Sequence, residues 1–119
     1  LPDPEQPGVS FKSLLEGRED RVRNNVVVYD EYGPCRMIRN TEYKLILRYP
    51  GPCELYDLKA DPDEYINLYD NPEYSNIISD MSRELDDWFA KYVNPDYDGK
   101  NEAVTGGGQY GRHSFGGKV

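Results

Sequence analysis

Histidine occurs once in the 119 residues, at His113, and cysteine twice, at Cys35 and Cys53. One imidazole excludes a zinc centre built on two histidines and leaves any catalytic triad without an oriented base. Long apolar runs are missing too: none approaches the ~18 residues that a membrane-spanning helix requires. No charged-then-apolar leader opens the sequence. Clustered lysine and arginine are also absent, and with a pI near 4.6 the chain has no electrostatic footprint for nucleic acid.

What is there is polar and acidic. Hydrophobic residues make up 37%, charged residues 30%, and the net charge is −8. A chain of this length holds one domain at most and one modest core, with no room for a deep substrate cavity as well. The charge is uneven. Lys12, Arg18, Arg21, Arg23, Arg36, Arg39, Lys44 and Arg48 outnumber the acids between them, whereas from Tyr49 to Asp98 only Lys59, Arg83 and Lys91 oppose a long acidic series. The first half therefore tolerates an anionic ligand; the second repels it and reads as a solvated acidic helix face.

Leu1 to Gly8 contains Pro2, Pro4 and Pro7 and lacks an initial Met, so it reads as a cut inside an extended connecting segment. On that reading an export signal could have been lost upstream. Ser10 is placed to cap a short helix through Glu16, with Phe11, Leu14 and Leu15 inward and Gly17 as its stop. The β-branched run Val26-Val27-Val28 opens a strand predicted to continue to Tyr32, before the turn signal Gly33-Pro34. Cys35 to Arg39, Tyr43 to Tyr49 and Glu54 to Leu58 follow as strands. In the clearest of them Tyr43, Leu45, Leu47 and Tyr49 share one face. Short turns between them predict an antiparallel meander. Asp61-Pro62-Asp63-Glu64 writes a helix start of one turn, and Asn71-Pro72 opens the main helix, to about Tyr92. Its stripe of Ile77, Met81, Leu85, Trp88 and Tyr92, with Ile78 and Phe89 beside it, must cover the apolar face of the sheet. The expected fold is α+β: a small antiparallel sheet of about four strands against a long C-terminal helix. Beyond Asn94-Pro95 the pattern ends in a glycine-rich tail expected to be flexible. The boundaries expected are a linker and short helix over 1–17, the α+β unit over 18–93 and the tail over 94–119.

Several stretches together resemble the C-terminal region of the sulfatases, members of the alkaline phosphatase-like superfamily. Gly8-Val9-Ser10-Phe11-Lys12-Ser13-Leu14-Leu15-Glu16-Gly17 is similar to the family's joining segment. Met37-Ile38-Arg39-Asn40 and Tyr43-Lys44-Leu45-Ile46 are similar to its paired strands. Glu54-Leu55-Tyr56-Asp57-Leu58, then Asp61-Pro62, Glu64 and Asn67-Leu68, form the most specific match. The tail contributes Asn94-Pro95, Asp98-Gly99 and Glu102-Ala103-Val104-Thr105-Gly106. The resemblance covers roughly residues 8 to 107 and implies a subdomain docked on a large α/β catalytic domain. It also implies a periplasmic or secreted parent whose catalytic domain carries a formylglycine and a divalent cation, usually calcium.

That chemistry is not in this chain. The formylglycine motif of the family is Cys/Ser-x-Pro/Ala-x-Arg. Cys35 is followed by Arg36-Met37-Ile38-Arg39, Cys53 by Glu54-Leu55-Tyr56-Asp57, and Ser79-Asp80-Met81-Ser82-Arg83 carries Met where Pro or Ala belongs. Asp61-x-Asp63-Glu64 superficially resembles a calcium loop, but Pro62 and the lack of a glycine at the sixth position favour capping. Asp86-Asp87 stand about 100° apart on a helix and cannot converge on one ion. In a simple meander Cys35 and Cys53 begin strands two apart, about 10 Å from each other. That exceeds the roughly 7 Å a disulfide tolerates, which favours two buried thiols. The eleven tyrosines invite sugar stacking, yet Tyr43, Tyr49, Tyr56 and Tyr92 occupy strand and helix-stripe positions that packing explains.

The function expected is that of a non-catalytic sulfatase fragment framing a substrate site. Arg36 and Arg48 are its candidates to steer a sulfated substrate, and Arg112 and His113 could meet an anion if the tail folds over an active-site mouth. A stand-alone binding module, or the same subdomain from a phosphodiesterase or phosphonate hydrolase, are the alternatives. An apolar sheet face freed from its partner would make the excised chain self-associate.

Overall fold

The computed structural model describes residues 5–18, 23–30 and 34–100. Four strands, β1 (Val26–Tyr29), β2 (Cys35–Arg39), β3 (Tyr43–Arg48) and β4 (Glu54–Asp57), form one antiparallel sheet in chain order. The register pairs Val28 with Met37, Met37 with Ile46 and Ile46 with Glu54. Because side chains alternate along a strand, this register sorts the sheet into two faces. Arg36, Ile38, Leu45, Leu47 and Leu55 share the inner one, where all are buried.

A helix, α2 (Ser75–Tyr92), covers that inner face. Asn71 opens it: its side-chain oxygen accepts from the Glu73 N–H at 3.0 Å, and Pro72 begins a 3₁₀ turn that leads into the α-helix. This satisfies a backbone donor that has no partner within the helix. Met81, Leu85 and Phe89 are the buried residues of α2 and complete the core with Ile38, Leu45, Leu47 and Leu55. Burial of each such side chain contributes roughly 1.5–3 kcal/mol. Ile77, Ile78 and Trp88 flank them half-buried, and Tyr29 of β1 packs edge-on to Phe89 with ring centroids 5.2 Å apart. The α+β architecture and the main helix agree with expectation, although Phe89 lies in the core rather than beside the stripe.

Three local readings differ. The first helix, α1, spans only Lys12–Leu15 and buries nothing; Phe11, Leu14 and Leu15 are exposed rather than inward. Its stop is as expected, since Gly17 adopts φ +67°. The Asp61–Glu64 segment forms a single turn, closed by the Glu64 N–H on the Asp61 carbonyl at 3.1 Å, but no helix: Glu64 turns to φ +58° and both side-chain oxygens of Asp61 accept backbone N–H groups further on, from Tyr65 at 3.0 Å and Ile66 at 2.8 Å. Strand β1 ends at Tyr29, and the residues expected to extend it to Tyr32 lie partly outside the described segments.

Candidate functional site

Among the described residues Arg36 is the one charged side chain in the core, 2% exposed. Strand alternation sends it inward beside Ile38, under the C-terminal end of α2. Its guanidinium carbon lies 3.7 Å from the centroid of the Phe89 ring and 5.6 Å from that of Tyr49. Nη2 pairs with the Asp98 carboxylate, and Nε has no hydrogen-bond partner among the described residues. A buried cation survives only when paired, so this contact ties the segment after α2 onto the sheet. A second 3₁₀ turn, Pro95–Tyr97, delivers Asp98: Asn94 caps it by accepting from the Asp96 N–H at 3.0 Å. Lys100 then lies over the Tyr49 ring, 4.5 Å from its centroid. Burial, with Asp86 nearby, pushes the Tyr49 hydroxyl above its ordinary range. A cavity of about 200 Å³ opens here between Arg36, Asp86, Phe89, Val93, Asp98 and Lys100.

Arg48 belongs to the other face. It pairs with Glu54 of the neighbouring strand and donates from Nη1 to the Pro52 carbonyl at 2.7 Å. Gly51 permits this close turn: its φ is +145°, and a Cβ there would meet the Arg48 Cβ at 3.0 Å. Glu54 also accepts from the Tyr56 hydroxyl at 2.5 Å. That hydrogen bond lowers the Glu54 carboxyl below its ordinary range and pushes the Tyr56 hydroxyl up to about 12. The structure therefore separates Arg36 and Arg48 onto opposite faces. Arg112 and His113 lie outside the described residues.

The outer face has an apolar row at its centre. Val28 is exposed, and Met37 and Ile46 are half-buried; the described helical segments that pack on the sheet, α2 and the 3₁₀ turn begun by Pro72, lie on the opposite face, where Tyr74 meets Tyr43. Ion pairs frame the row: Arg48–Glu54 at one side and Lys44–Glu64, at 2.7 Å, at the other.

The Lys44–Glu64 pair brings the loop after β4 to this face. Asp57 accepts from the backbone N–H groups of Lys59 and Ala60, and Asn67 clamps the far end. The Asn67 oxygen accepts from the N–H groups of Leu55 and Tyr69, each at 3.0 Å, while its amide donates to the Cys53 carbonyl at 3.1 Å. Sequence reasoning quoted Asp57, Asp61, Glu64 and Asn67 for their resemblance but missed this shared task; their spacing around a proline was the available signal.

Among the described residues no cluster of histidine, cysteine and carboxylates is arranged to hold a metal ion. Asp61 is occupied by backbone donors and Glu64 by Lys44, so the segment that resembles a calcium loop does not fit a divalent cation. Cys35 and Cys53 are free, half-buried thiols. Burial raises the Cys35 pKa. No helix of the described residues is long and apolar enough to cross a membrane.

Residues 2–91 match the family described as N-sulphoglucosamine sulphohydrolase, C-terminal. The chain belongs to this family of sulfatase C-terminal subdomains. It is similar to a delta 4,5-hexuronate-2-O-sulfatase of Bacteroides thetaiotaomicron, 35% identical over 95 residues, which cover 73% of this chain and 20% of the relative. A crystal structure of a provisionally assigned sulfatase from the same organism superimposes with a TM-score of 0.64 at 28% identity, over 87% of this chain and 26% of the other. A 2-O GAG sulfatase gives a TM-score of 0.61 at 30% identity, again over 87% and 26%. The chain thus spans about a quarter or less of these three sulfatases.

Proposed function

We propose that the chain serves as the non-catalytic C-terminal subdomain of a secreted or periplasmic sulfatase, docking through its outer sheet face on the catalytic portion of the same polypeptide. The observation that carries this reading is the one-sided sheet. Helix α2 covers the inner face, whereas the outer row is apolar with Val28 exposed and Met37 and Ile46 half-buried, and α2 does not reach it. A row of this kind inside a polar frame is how a protein–protein contact is built. The relatives' names point to sulfated glycans as the substrate class of the whole enzyme.

Formylglycine and the divalent cation would then be supplied by the catalytic portion. Arg48, on the docking face, and Arg112 and His113 are the candidates for guiding a sulfate group toward it. Arg36, buried under Phe89, would act from behind by holding Asp98 and the segment that leads to them. Two measurements test the reading. The 119-residue chain should not turn over an aryl sulfate, and turnover would refute the placement of the chemistry elsewhere. The isolated chain should also self-associate in sedimentation through its uncovered face; a clean monomer at high concentration would count against docking.

A further inference from the structure

Tyr65 and Ile66 are 84% and 61% exposed, side by side at the tip of the loop after β4. Single exposed hydrophobics are ordinary, but this pair is held in place by three anchors. Asp61 accepts from both of their backbone N–H groups, and Glu64 immediately before them is anchored by Lys44. Asn67 immediately after them bridges Leu55, Tyr69 and Cys53. Glu64 itself sits at φ +58°, a left-handed conformation that is unfavourable for a residue with a side chain. Strain and hydrogen bonds are thus spent on a loop whose tip touches little of its own fold. A tip ordered in advance loses little side-chain and backbone freedom on binding, and tyrosine is among the residues that dominate interface energies.

Resting on the docking reading above, we propose that Tyr65 and Ile66 are the anchor of that docking, inserting into an apolar socket with a basic rim on the catalytic portion of the same polypeptide. The rim follows from charge: the exposed Asp63 and Asp70 flank the tip in sequence. The choice of occupant follows from length. This chain covers only 20% and 26% of two sulfatases it matches, in which the larger remainder belongs to the same polypeptide. A tethered partner competes at an effective concentration in about the millimolar range, which a second free copy does not reach. The Lys44–Glu64 pair makes the loop and the Val28–Met37–Ile46 row parts of one surface.

The test places a photo-crosslinking phenylalanine analogue at position 65, and separately at position 28, in the intact sulfatase polypeptide. Capture by position 65 of residues outside this chain, within the same polypeptide, is the expected result. Capture only of another copy of this chain overturns the inference in favour of a homotypic contact. If position 28 captures the catalytic portion and position 65 captures nothing, docking stands and the anchor is refuted. If neither captures anything, both readings fail. In parallel, the double variant Tyr65→Ser/Ile66→Ser should raise the rate of proteolytic separation of the two portions at least about tenfold. Because both side chains are exposed, it should leave the unfolding of the subdomain itself unchanged. An unaltered cleavage rate overturns the anchor.

Discussion

The two faces of the sheet are built from the same four strands and obey opposite rules. Inward, Ile38, Leu45, Leu47 and Leu55 meet Met81, Leu85 and Phe89, and every one of them is buried. Outward, Val28, Met37 and Ile46 run between Arg48–Glu54 and Lys44–Glu64, and none is buried. The inner face needs nothing beyond the chain and determines the fold. The outer face pairs Lys44 and Arg48 and leaves its apolar row only partly covered, which suits it to the proposed docking. Neighbours in sequence therefore differ in what they stabilise.

Leu45 and Ile46 expose this contrast most directly. Leu45, 0% exposed, should lose about 2–5 kcal/mol on replacement by alanine, through lost burial and the cavity left behind. Ile46→Ala should cost the isolated chain under about 1 kcal/mol. Urea denaturation of the two variants measures both, and equal losses would erase the distinction between the faces.

Arg36 tests the inner face at its polar limit. Removing the partner of a buried charge costs about 3–5 kcal/mol. Asp98 keeps some contact with water, at 16% exposure, so Asp98→Ala is expected to cost about 2–3 kcal/mol. Arg36→Met removes the charge and keeps a stem against Phe89, and it should be milder than Asp98→Ala. The reverse order in urea denaturation would mean that the ring contacts, rather than the ion pair, hold this corner.

Much of this was legible in the sequence. Alternation in Tyr43 to Tyr49 and the three-and-four spacing of Met81, Leu85 and Phe89 are consequences of side-chain geometry, so the sheet, the helix and their contact could be read directly. Arg36 could not be read in the same way. An arginine in a strand is solvated by default, and its burial depends on Phe89 and Asp98, 53 and 62 positions along the chain. Pairing it with Leu47 through the β2–β3 register would have placed it inward. Asp61 misled for a related reason. Asp-Pro favours a helix start, but here the carboxylate reaches donors four and five residues on and closes a loop instead. An apolar sheet face was expected, though not that Val28, Met37 and Ile46 would form its row.

Asn67 belongs to neither face and connects both, since it joins β4, Cys53 and Tyr69. Asn67→Ala should cost about 1–2 kcal/mol, because the Leu55 and Tyr69 donors lose their acceptor. Hydrogen exchange should speed up at the Leu55 and Tyr69 amides while α2 stays protected. Loss of protection across α2 would show that the loop and the core are one cooperative unit, and the division drawn here would fail.

The smallest effect expected concerns the polar frame of the outer face. Tyr56→Phe removes the hydroxyl that Glu54 accepts, on a partly exposed site, and should cost about 0.5 kcal/mol at neutral pH. Its signature lies at the extremes. The folded Tyr56 hydroxyl titrates at about 12 against an ordinary 10.0, so stability is full below pH 10 and falls as pH rises toward the folded value. Glu54 is depressed below its ordinary 4.5, chiefly by the same hydrogen bond. Its contribution is therefore present above pH 4.5 and lost as pH falls through its lower folded value. Denaturation midpoints across pH should show the variant with a flatter alkaline limb and an acid limb moved upward. A variant whose two limbs match the wild type would mean that water, not Tyr56, already satisfies Glu54, as it does for ordinary surface pairs.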